Sequence, residues 1–246
     1  MWRNIIILSL AIIACGIATN ILKETPEYII PCHKTEDLEK CITTEIAHIR
    51  PFLAKGIKEI ELPPIEPFIM DEFTLQLTEG SNGYKITMMN IEVSGASGFE
   101  VKNLKLTEPF SATVSCPELR IESAYTSSGV LLIIPASGGG NFHGRFEGVV
   151  GNLTGKFSTK KVGDYSFIHI DAFKVNLDIK KAHMSISGAF NNNEVLSRAT
   201  NLFLQENAGE VLRAMQPQLQ KKLAQEFAKI ANQLFKHVPV EIFYVD

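Results

Sequence analysis

The middle of the chain, from about residue 67 to residue 190, alternates apolar and polar side chains with a period of two. The clearest example is the segment Phe173–Ile179, in which apolar residues at odd positions alternate with lysine, asparagine and aspartate. Such a segment has one apolar face, which can be buried, and one polar face, which can contact solvent, as is typical of an antiparallel strand. A second run, Tyr84–Met88, resumes one register later at Ile91, and this slip predicts a β-bulge near Met89. The region as a whole predicts an antiparallel meander.

A helical pattern precedes the strands. Apolar residues recur three and four positions apart over the segment Thr35–Lys55. Thr35 is the predicted N-cap, acidic residues follow it at the positive end of the helix dipole, and Gly56 is expected to end the helix. We therefore expect one helix ahead of the sheet.

Two further helices are predicted after the strands. A helix of about a dozen residues follows Asn193, and Asn207 with Glu210 resembles a capping box that begins a longer helix. That helix contains roughly 29 residues, which corresponds to ~43 Å, and Pro217 is expected to kink it. One apolar stripe runs along it, formed by Ala208, Val211, Leu212, Met215, Leu219, Leu223, Phe227, Ile230 and Leu234.

The long helix and the sheet must each bury an apolar face. A sheet that curls around the helix buries both at once, and the glycines between Gly138 and Gly155 favour such curling. The predicted fold class is therefore α+β, with a long C-terminal helix wrapped by a highly curved antiparallel sheet. A sheet rolled around a rod rarely fills all of its space, so we expect an elongated apolar cavity. A fully packed core would give the same periodicity and is the alternative.

The first 18 residues have the pattern of a secretory signal peptide. Arg3 is followed by the apolar run Ile5–Ile13, and Gly16 and Ala18 place small residues before a cleavage site. The run is shorter than the ~20 apolar residues of a transmembrane helix. We therefore predict a secreted, extracellular protein in which residues 19–246 form a single ligand-binding domain. Stable membrane insertion is not expected, and transient contact with a membrane or a receptor stays open.

Composition and charge narrow the class of partner. Apolar residues make up 45% of the chain and charged residues 21%, a balance typical of folded globular proteins. The net charge of −3 gives no electrostatic basis for binding nucleic acid. Nucleic acid is therefore not an expected partner.

Four cysteines and one glycosylation sequon bear on the secreted state, and Cys15 should be removed with the signal peptide. Cys32 and Cys41 are close in sequence, and we expect them to form a disulfide in an oxidising compartment. Cys116 is left without a partner, either as a small buried thiol or as a reactive one. Asn152, in Asn-Leu-Thr, is the candidate glycosylation site.

Motifs of catalysis, metal binding and phosphate binding are missing from the sequence. The six histidines lack metal-ligand spacing. The segment Gly95–Gly98 falls short of the Gly-x-Ser-x-Gly nucleophile elbow, and the glycines at 138–140 do not complete a phosphate loop. We therefore predict a protein that is not an enzyme, with no catalytic residue, metal or cofactor.

The order of these features resembles the insect juvenile-hormone-binding and takeout family. The resemblance rests on the cysteine pair, on Leu62–Pro67, on Tyr125–Pro135 with the glycines after it, and on the tail from Asn201–Leu204 to Pro239–Phe243. It covers essentially the whole chain after the signal. Hormone-binding members carry two disulfides, whereas one cysteine remains here after the first pair, so takeout-like members are the closer comparison.

The resemblance implies a secreted carrier that holds a terpenoid hormone, a fatty acid or a similar lipophile in a hydrophobic tunnel. By correspondence with the hormone-binding members, Tyr125 is the residue expected to donate a hydrogen bond to the ligand. The apolar stripe of the long helix supplies the other ligand-binding candidates, which are Val211, Met215, Leu219 and Phe227. We expect the disulfide-tethered N-terminal helix to gate one end of the tunnel. A secreted hydrolase of lipid or hormone esters and a ligand-free extracellular interaction protein are the alternatives.

Overall fold

The computed structural model describes residues 21–33, 35, 37–76, 83–131, 134–135, 137–188 and 194–245. The signal peptide predicted over residues 1–18 lies outside these ranges, so the division into a signal and one domain stays a prediction. The strands are β1 (Cys32–His33), β2 (Phe68–Gln76), β3 (Lys85–Ser94), β4 (Glu100–Lys105), β5 (Phe110–Ser128), β6 (Val130–Leu131), β7 (Ile134–Pro135), β8 (Gly138–Val162), β9 (Tyr165–Ser187) and β10 (Tyr244–Val245). The α-helices are α1 (Leu38–Lys55), α2 (Glu194–Glu206), α3 (Ala208–His237) and α4 (Val240–Phe243).

Six strands form one antiparallel sheet in the order β2-β3-β5-β8-β9, and β4 pairs with the first part of β5. The edge strands β2 and β9 both contact helix α3. A sheet can touch one helix with both of its edges only if it curves around that helix. The fold class predicted from the sequence, a curved antiparallel sheet around a long C-terminal helix, is confirmed.

Local signals in the sequence placed several elements correctly. Apolar residues of the segment Phe173–Ile179 face inwards and its polar residues are exposed. The predicted bulge is present, because the pairing of β3 with β5 shifts register between Met89 and Glu92 and Asn90 has a φ of +50°. The predicted long helix corresponds to α3, which has 30 residues.

Two helix caps differ from the prediction. Helix α1 begins at Leu38 and not after Thr35, because the Asp37 carboxylate accepts the Lys40 N–H at 3.2 Å and stabilises the start there. The capping box at Asn207 is also wrong. The Asn207 side-chain amide turns back and donates to the carbonyl oxygen of Phe203 at 3.0 Å, so it closes α2 and leaves the first turn of α3 without a side-chain cap.

The three longest strands change face at one level across the sheet. Pairing is interrupted at Pro117 in β5, at Gly148 in β8 and opposite it at Lys180 in β9. In β8 the inward residues are even-numbered up to Phe146 and odd-numbered from Val149 onwards. Gly148 has a φ of +62°, which favours glycine. This line of interruption lets strands of 19 to 25 residues bend around the helix.

The two ends of the described chain lie together. The predicted disulfide between Cys32 and Cys41 is present, with an S–S distance of 2.06 Å. Strand β1 pairs in parallel with β10, which places Cys32 beside Tyr244. The disulfide therefore ties α1 to the C-terminal end of α3 through β1 and β10.

Side-chain amides from the helices pair with the free edge of β9. Each amide bonds the backbone of one strand residue as a neighbouring strand would. The pairs are Ile186 with Asn201 at 2.7 and 2.9 Å, Leu177 with Gln220 at 2.7 Å and Gln216 at 2.6 Å, and Ile170 with Asn232 at 2.8 and 3.2 Å. We call these three contacts the amide clasps. They hold α2 and α3 to the edge of the sheet.

Removal of one clasp should loosen the edge strand at that point. Asn232→Ala leaves the N–H and the carbonyl of Ile170 to water, so we expect the free energy of unfolding to fall by about 1–2 kcal/mol. Exchange of the Ile170 amide hydrogen should speed up by roughly tenfold or more. Asn176→Ala, at an exposed position of the same strand, is the control. Equal exchange rates at Ile170 in the two variants would contradict the role of the clasp.

Candidate functional site

The apolar interior consists of two clusters at opposite ends of helix α3. The sheet cluster contains Phe73, Leu75, Tyr84, Ile86, Met88, Ile91, Tyr125, Phe142, Phe146, Val149, Met184, Ile186, Leu204 and Val211. The terminal cluster contains Tyr28, Ile29, Ile49, Ile57, Ile60, Leu62, Val238 and Ile242. Along α3, the residues packed on the sheet cluster extend to Leu219 and those packed on the terminal cluster begin at Ile230, so about 16 Å of helix separates the two clusters.

A partly enclosed cavity of about 70 Å³ lies in the sheet cluster. It is bounded by strands β3, β5, β8 and β9, by helix α2 and by the first turns of α3. The lining residues are Tyr84, Ile86, Met88, Tyr125, Ser127, Gly138, Phe142, Met184, Ile186, Thr200, Phe203, Leu204, Val211 and Met215. None of the side chains in this described lining is charged.

The cavity is smaller than the ligands that the sequence suggested. A site that holds benzene has ~150 Å³, and ligand pockets usually have ~300–1,000 Å³. A lipophile of hormone size must therefore push side chains apart. Met88, Met184 and Met215 are in the lining, and methionine adapts its rotamers easily to an irregular guest. The site is best described as an apolar interior that can expand.

Two tyrosines supply polar atoms to this interior. Tyr125 is only 6% exposed, and burial, together with the neighbouring Tyr84, raises its pKa to about 12. Burial also raises the pKa of Tyr84, against the effect of a hydrogen bond with Ser127. Both hydroxyl groups are therefore neutral at physiological pH, and each can exchange a hydrogen bond with an uncharged oxygen.

The structure brings together three of the five ligand-binding residues predicted from the sequence. Tyr125, Val211 and Met215 line the cavity. Leu219 packs against the sheet cluster one turn further along α3. Phe227 is 39% exposed and is not among the described residues that line the cavity. Ligand contact by these residues stays a prediction.

Helix α2 contributes a wall of the cavity that was not predicted from the sequence. Thr200, Phe203 and Leu204 line the cavity. Their signal in the sequence was the pair of adjacent apolar residues 203 and 204, which a single stripe could not assign to a face. Helix α1 supplies none of the described lining residues and packs into the terminal cluster. Its expected role as a gate stays a prediction and would apply to the opposite end of the interior.

An open groove lies between β9 and the middle of α3. Its volume is about 490 Å³, and it is lined by Phe173, Lys174, Val175, Gln220, Lys221, Ala224, Gln225 and Ala228. The small side chains of Ala224 and Ala228 leave the space, and two lysines border it. The groove is more open to solvent than the cavity and shares no described lining residue with it.

A row of three polar side chains crosses the outer face of the sheet. Glu122 in β5 contacts His143 Nδ1, and Ser187 Oγ lies 3.0 Å from His143 Nε2. The order of carboxylate, imidazole and hydroxyl is that of a catalytic triad. The row is exposed and lies on the face opposite the cavity. The sequence alone does not reveal this row, because its members come from three different strands.

The remaining candidate residues show no catalytic arrangement. Within the described ranges, no group of three or more His, Cys, Asp or Glu side chains could hold a metal ion, and no helix there is long and apolar enough to cross a membrane. Burial raises the pKa of the Cys116 thiol, which keeps it protonated. Asn152 is exposed on β8 and accepts from the Thr113 hydroxyl at 3.2 Å, and its glycosylation stays a prediction.

Known proteins resemble this chain in both sequence and fold. The family model for haemolymph juvenile hormone binding protein matches residues 8–245. The circadian clock-controlled protein daywake is 25% identical in Drosophila yakuba over 220 residues, covering 84% of each chain. Daywake of Drosophila melanogaster is 25% identical over 217 residues with the same coverage. The crystal structure of Takeout 1 from Epiphyas postvittana matches with a TM-score of 0.77 at 19% identity, covering 88% of this chain and all of that one.

The buried Tyr125 hydroxyl should make stability depend on alkaline pH. The pKa of Tyr125 is about 12 in the folded protein, against ~10 for an unfolded tyrosine. The unfolded state therefore loses this proton first, and the free energy of unfolding should fall as pH rises from 10 towards 12. Tyr125→Phe should flatten this slope in urea unfolding measured across the range, whereas Tyr165→Phe, outside the cavity, is the control. An unchanged slope in Tyr125→Phe would show that this hydroxyl ionises as freely in the folded protein as in the unfolded one.

Proposed function

This chain belongs to the haemolymph juvenile hormone binding protein family, whose members bind hydrophobic ligands as carriers, and we propose that it is a secreted carrier of one small lipophile. The observation that carries the proposal is the uncharged, methionine-rich cavity beneath helix α2. The predicted signal peptide and the Cys32–Cys41 disulfide support an extracellular location. A terpenoid, a fatty acid or a lipophile of similar size is the proposed cargo.

The binding energy of such a carrier comes from burial of the ligand. A chain of ~15 carbons gains about 12 kcal/mol of gross transfer free energy, at ~0.8 kcal/mol for each methylene. Association and ordering cost ~4–15 kcal/mol, and opening the cavity adds to this cost. Micromolar affinity is therefore reachable without a strong polar bond. The flexible lining lowers the cost of opening, because methionine side chains can move without displacing the strands.

Polar contacts would decide between ligands of similar size. Apolar packing alone discriminates weakly, whereas a buried hydrogen bond discriminates strongly. We propose that Tyr125 supplies this bond and that Val211, Met215 and Leu219 contact the apolar part of the ligand. Phe227 lies 16 residues beyond Val211 on α3, or ~24 Å along the axis. A ligand that starts at Val211 must therefore be long to reach it.

The second candidate function is hydrolysis of esters, which the row Glu122–His143–Ser187 favours. In the tautomer that donates Nδ1–H to Glu122, His143 Nε2 accepts the proton of the Ser187 hydroxyl, as a general base does. Catalysis of acyl transfer also depends on donors fixed around the oxyanion in a site shielded from water. The exposed position of this row provides no such shielding, and the carrier is the better-supported function.

Filling the cavity should weaken binding. Met215→Trp places a bulky ring in a space of about 70 Å³, so we expect affinity for a fluorescent fatty acid to fall by roughly tenfold or more. Leu196→Trp, on the exposed side of α2 where Leu196 is 49% exposed, is the matched control and should bind as the wild type does. Extraction of the purified wild-type protein with organic solvent, followed by mass spectrometry, should release a lipophile that the Met215→Trp variant lacks. Equal binding by both variants would place the ligand elsewhere.

The esterase function has its own test. We expect hydrolysis of short and long p-nitrophenyl esters by the wild-type protein to equal that by Ser187→Ala, because the serine faces solvent. A rate above the buffer that disappears in Ser187→Ala and in His143→Gln would establish the hydrolase and contradict a purely binding role.

A further inference from the structure

A buried hydroxyl on the inner face of the sheet has no hydrogen-bond partner. Ser123 of β5 is only 7% exposed, and within the described part of the chain its Oγ contacts no donor or acceptor. Buried polar groups are nearly always paired, since an unpaired one loses its hydration without compensation. Alanine would fill the same position without this penalty. The hydroxyl therefore points to a partner that belongs to another state of the protein.

Strand register places Ser123 beside the cavity. The residue directly across from it in β8 is Phe142, and Tyr125 lies two residues further along β5 on the same face. Both of these neighbours line the cavity. On its other side Ser123 faces the bulge of β3, where pairing skips from Met89 to Glu92. Ser123 is therefore one inward-facing position along β5 from the residues that border the cavity.

The inner face of β5 thus carries two serines with a tyrosine between them. Ser127 lies at the cavity with Tyr84 as its hydrogen-bond partner. Ser123 is four residues away along the strand, a distance of ~13 Å. Between them Tyr125 presents its neutral hydroxyl. The described lining of the cavity carries no charged side chain, so an ionised group buried beside either serine would be unpaired and costly.

We infer that Ser123 is a second polar contact for the ligand and donates a hydrogen bond to an uncharged oxygen within its chain. This inference rests on the proposed carrier function and specifies its cargo. The cargo class is a long lipophile that bears an uncharged acceptor, such as a ketone, ether, epoxide or ester oxygen, away from the end held near Tyr125. Expansion of the cavity on binding opens the space next to Phe142 and gives the Ser123 hydroxyl its missing partner.

Competition binding with a matched ligand series tests the inference. The probes are a saturated fatty-acid methyl ester and its keto derivatives of the same length, with the carbonyl at successive positions, each displacing a fluorescent fatty acid. In the wild-type protein we expect one keto isomer to bind roughly tenfold more tightly than the parent ester, as one buried neutral hydrogen bond allows. Ser123→Ala should remove this preference and leave the affinity for the parent ester within about twofold. Ser115→Ala, on the outer face of the same strand, should retain the preference.

Each outcome decides a different point. If methyl esters bind but no keto isomer is preferred, or if Ser123→Ala keeps the preference, the role of Ser123 is overturned and the carrier function stands. If neither protein binds any of the probes or the fluorescent fatty acid, the carrier function itself fails. Thermal unfolding of the ligand-free proteins provides an independent check, because loss of an unpaired hydroxyl should leave the midpoint unchanged or raise it. A clear fall in Ser123→Ala would show that the hydroxyl already has a partner and would overturn the inference.

Discussion

The free backbone edge of strand β9 is the constraint on which the rest of the structure depends. A strand of 23 residues exposes a row of N–H and carbonyl groups that must find partners. The opposite edge strand, β2, has only nine residues and cannot close the sheet into a barrel with it. The amide clasps solve this mismatch, since Asn201, Gln216, Gln220 and Asn232 act as a substitute strand. Helix α3 is thereby fixed over a concave apolar face, and the cavity exists because the two surfaces do not match completely.

Much of the fold could be predicted because its signals are local. Alternation along Phe173–Ile179, the slip near Met89, the apolar stripe of α3 and the two nearby cysteines each report on a few neighbouring residues. The cap at Thr35 was predicted wrongly because Asp37 is the residue that accepts an N–H of the first turn, and sequence spacing does not rank such competitors. The cap at Asn207 was predicted wrongly because its amide donates backwards to Phe203, a direction that spacing does not show. In each long strand, the inward-facing positions switch between odd and even numbers at Pro117, Gly148 or Lys180, and the sequence of that strand alone shows this switch. Its alignment across the sheet depends on register, which no single strand contains.

The candidate site was predictable only in part for the same reason. Tyr125 came from a resemblance, and Val211 and Met215 came from the helical stripe. The wall formed by Phe203 and Leu204 depends on how α2 folds over the sheet, and the unpaired state of Ser123 depends on which strand residues face it. Periodicity separates an inner from an outer face. It does not separate residues that fill the core from residues that border a void, because both are apolar and both point inwards.

The amide clasps have a consequence for how such a protein can diversify. Each clasp bonds main-chain atoms of β9, so it is indifferent to the side chains at Ile170, Leu177 and Ile186. Substitutions at Leu177 and Ile186, which belong to or pack on the sheet cluster, can reshape the interior while the joint between helix and sheet keeps its bonds. The attachment of the helix thus depends on main-chain atoms, whereas ligand preference depends on side chains. Related proteins can therefore bind different ligands through substitutions in the interior while the attachment of helix to sheet stays the same.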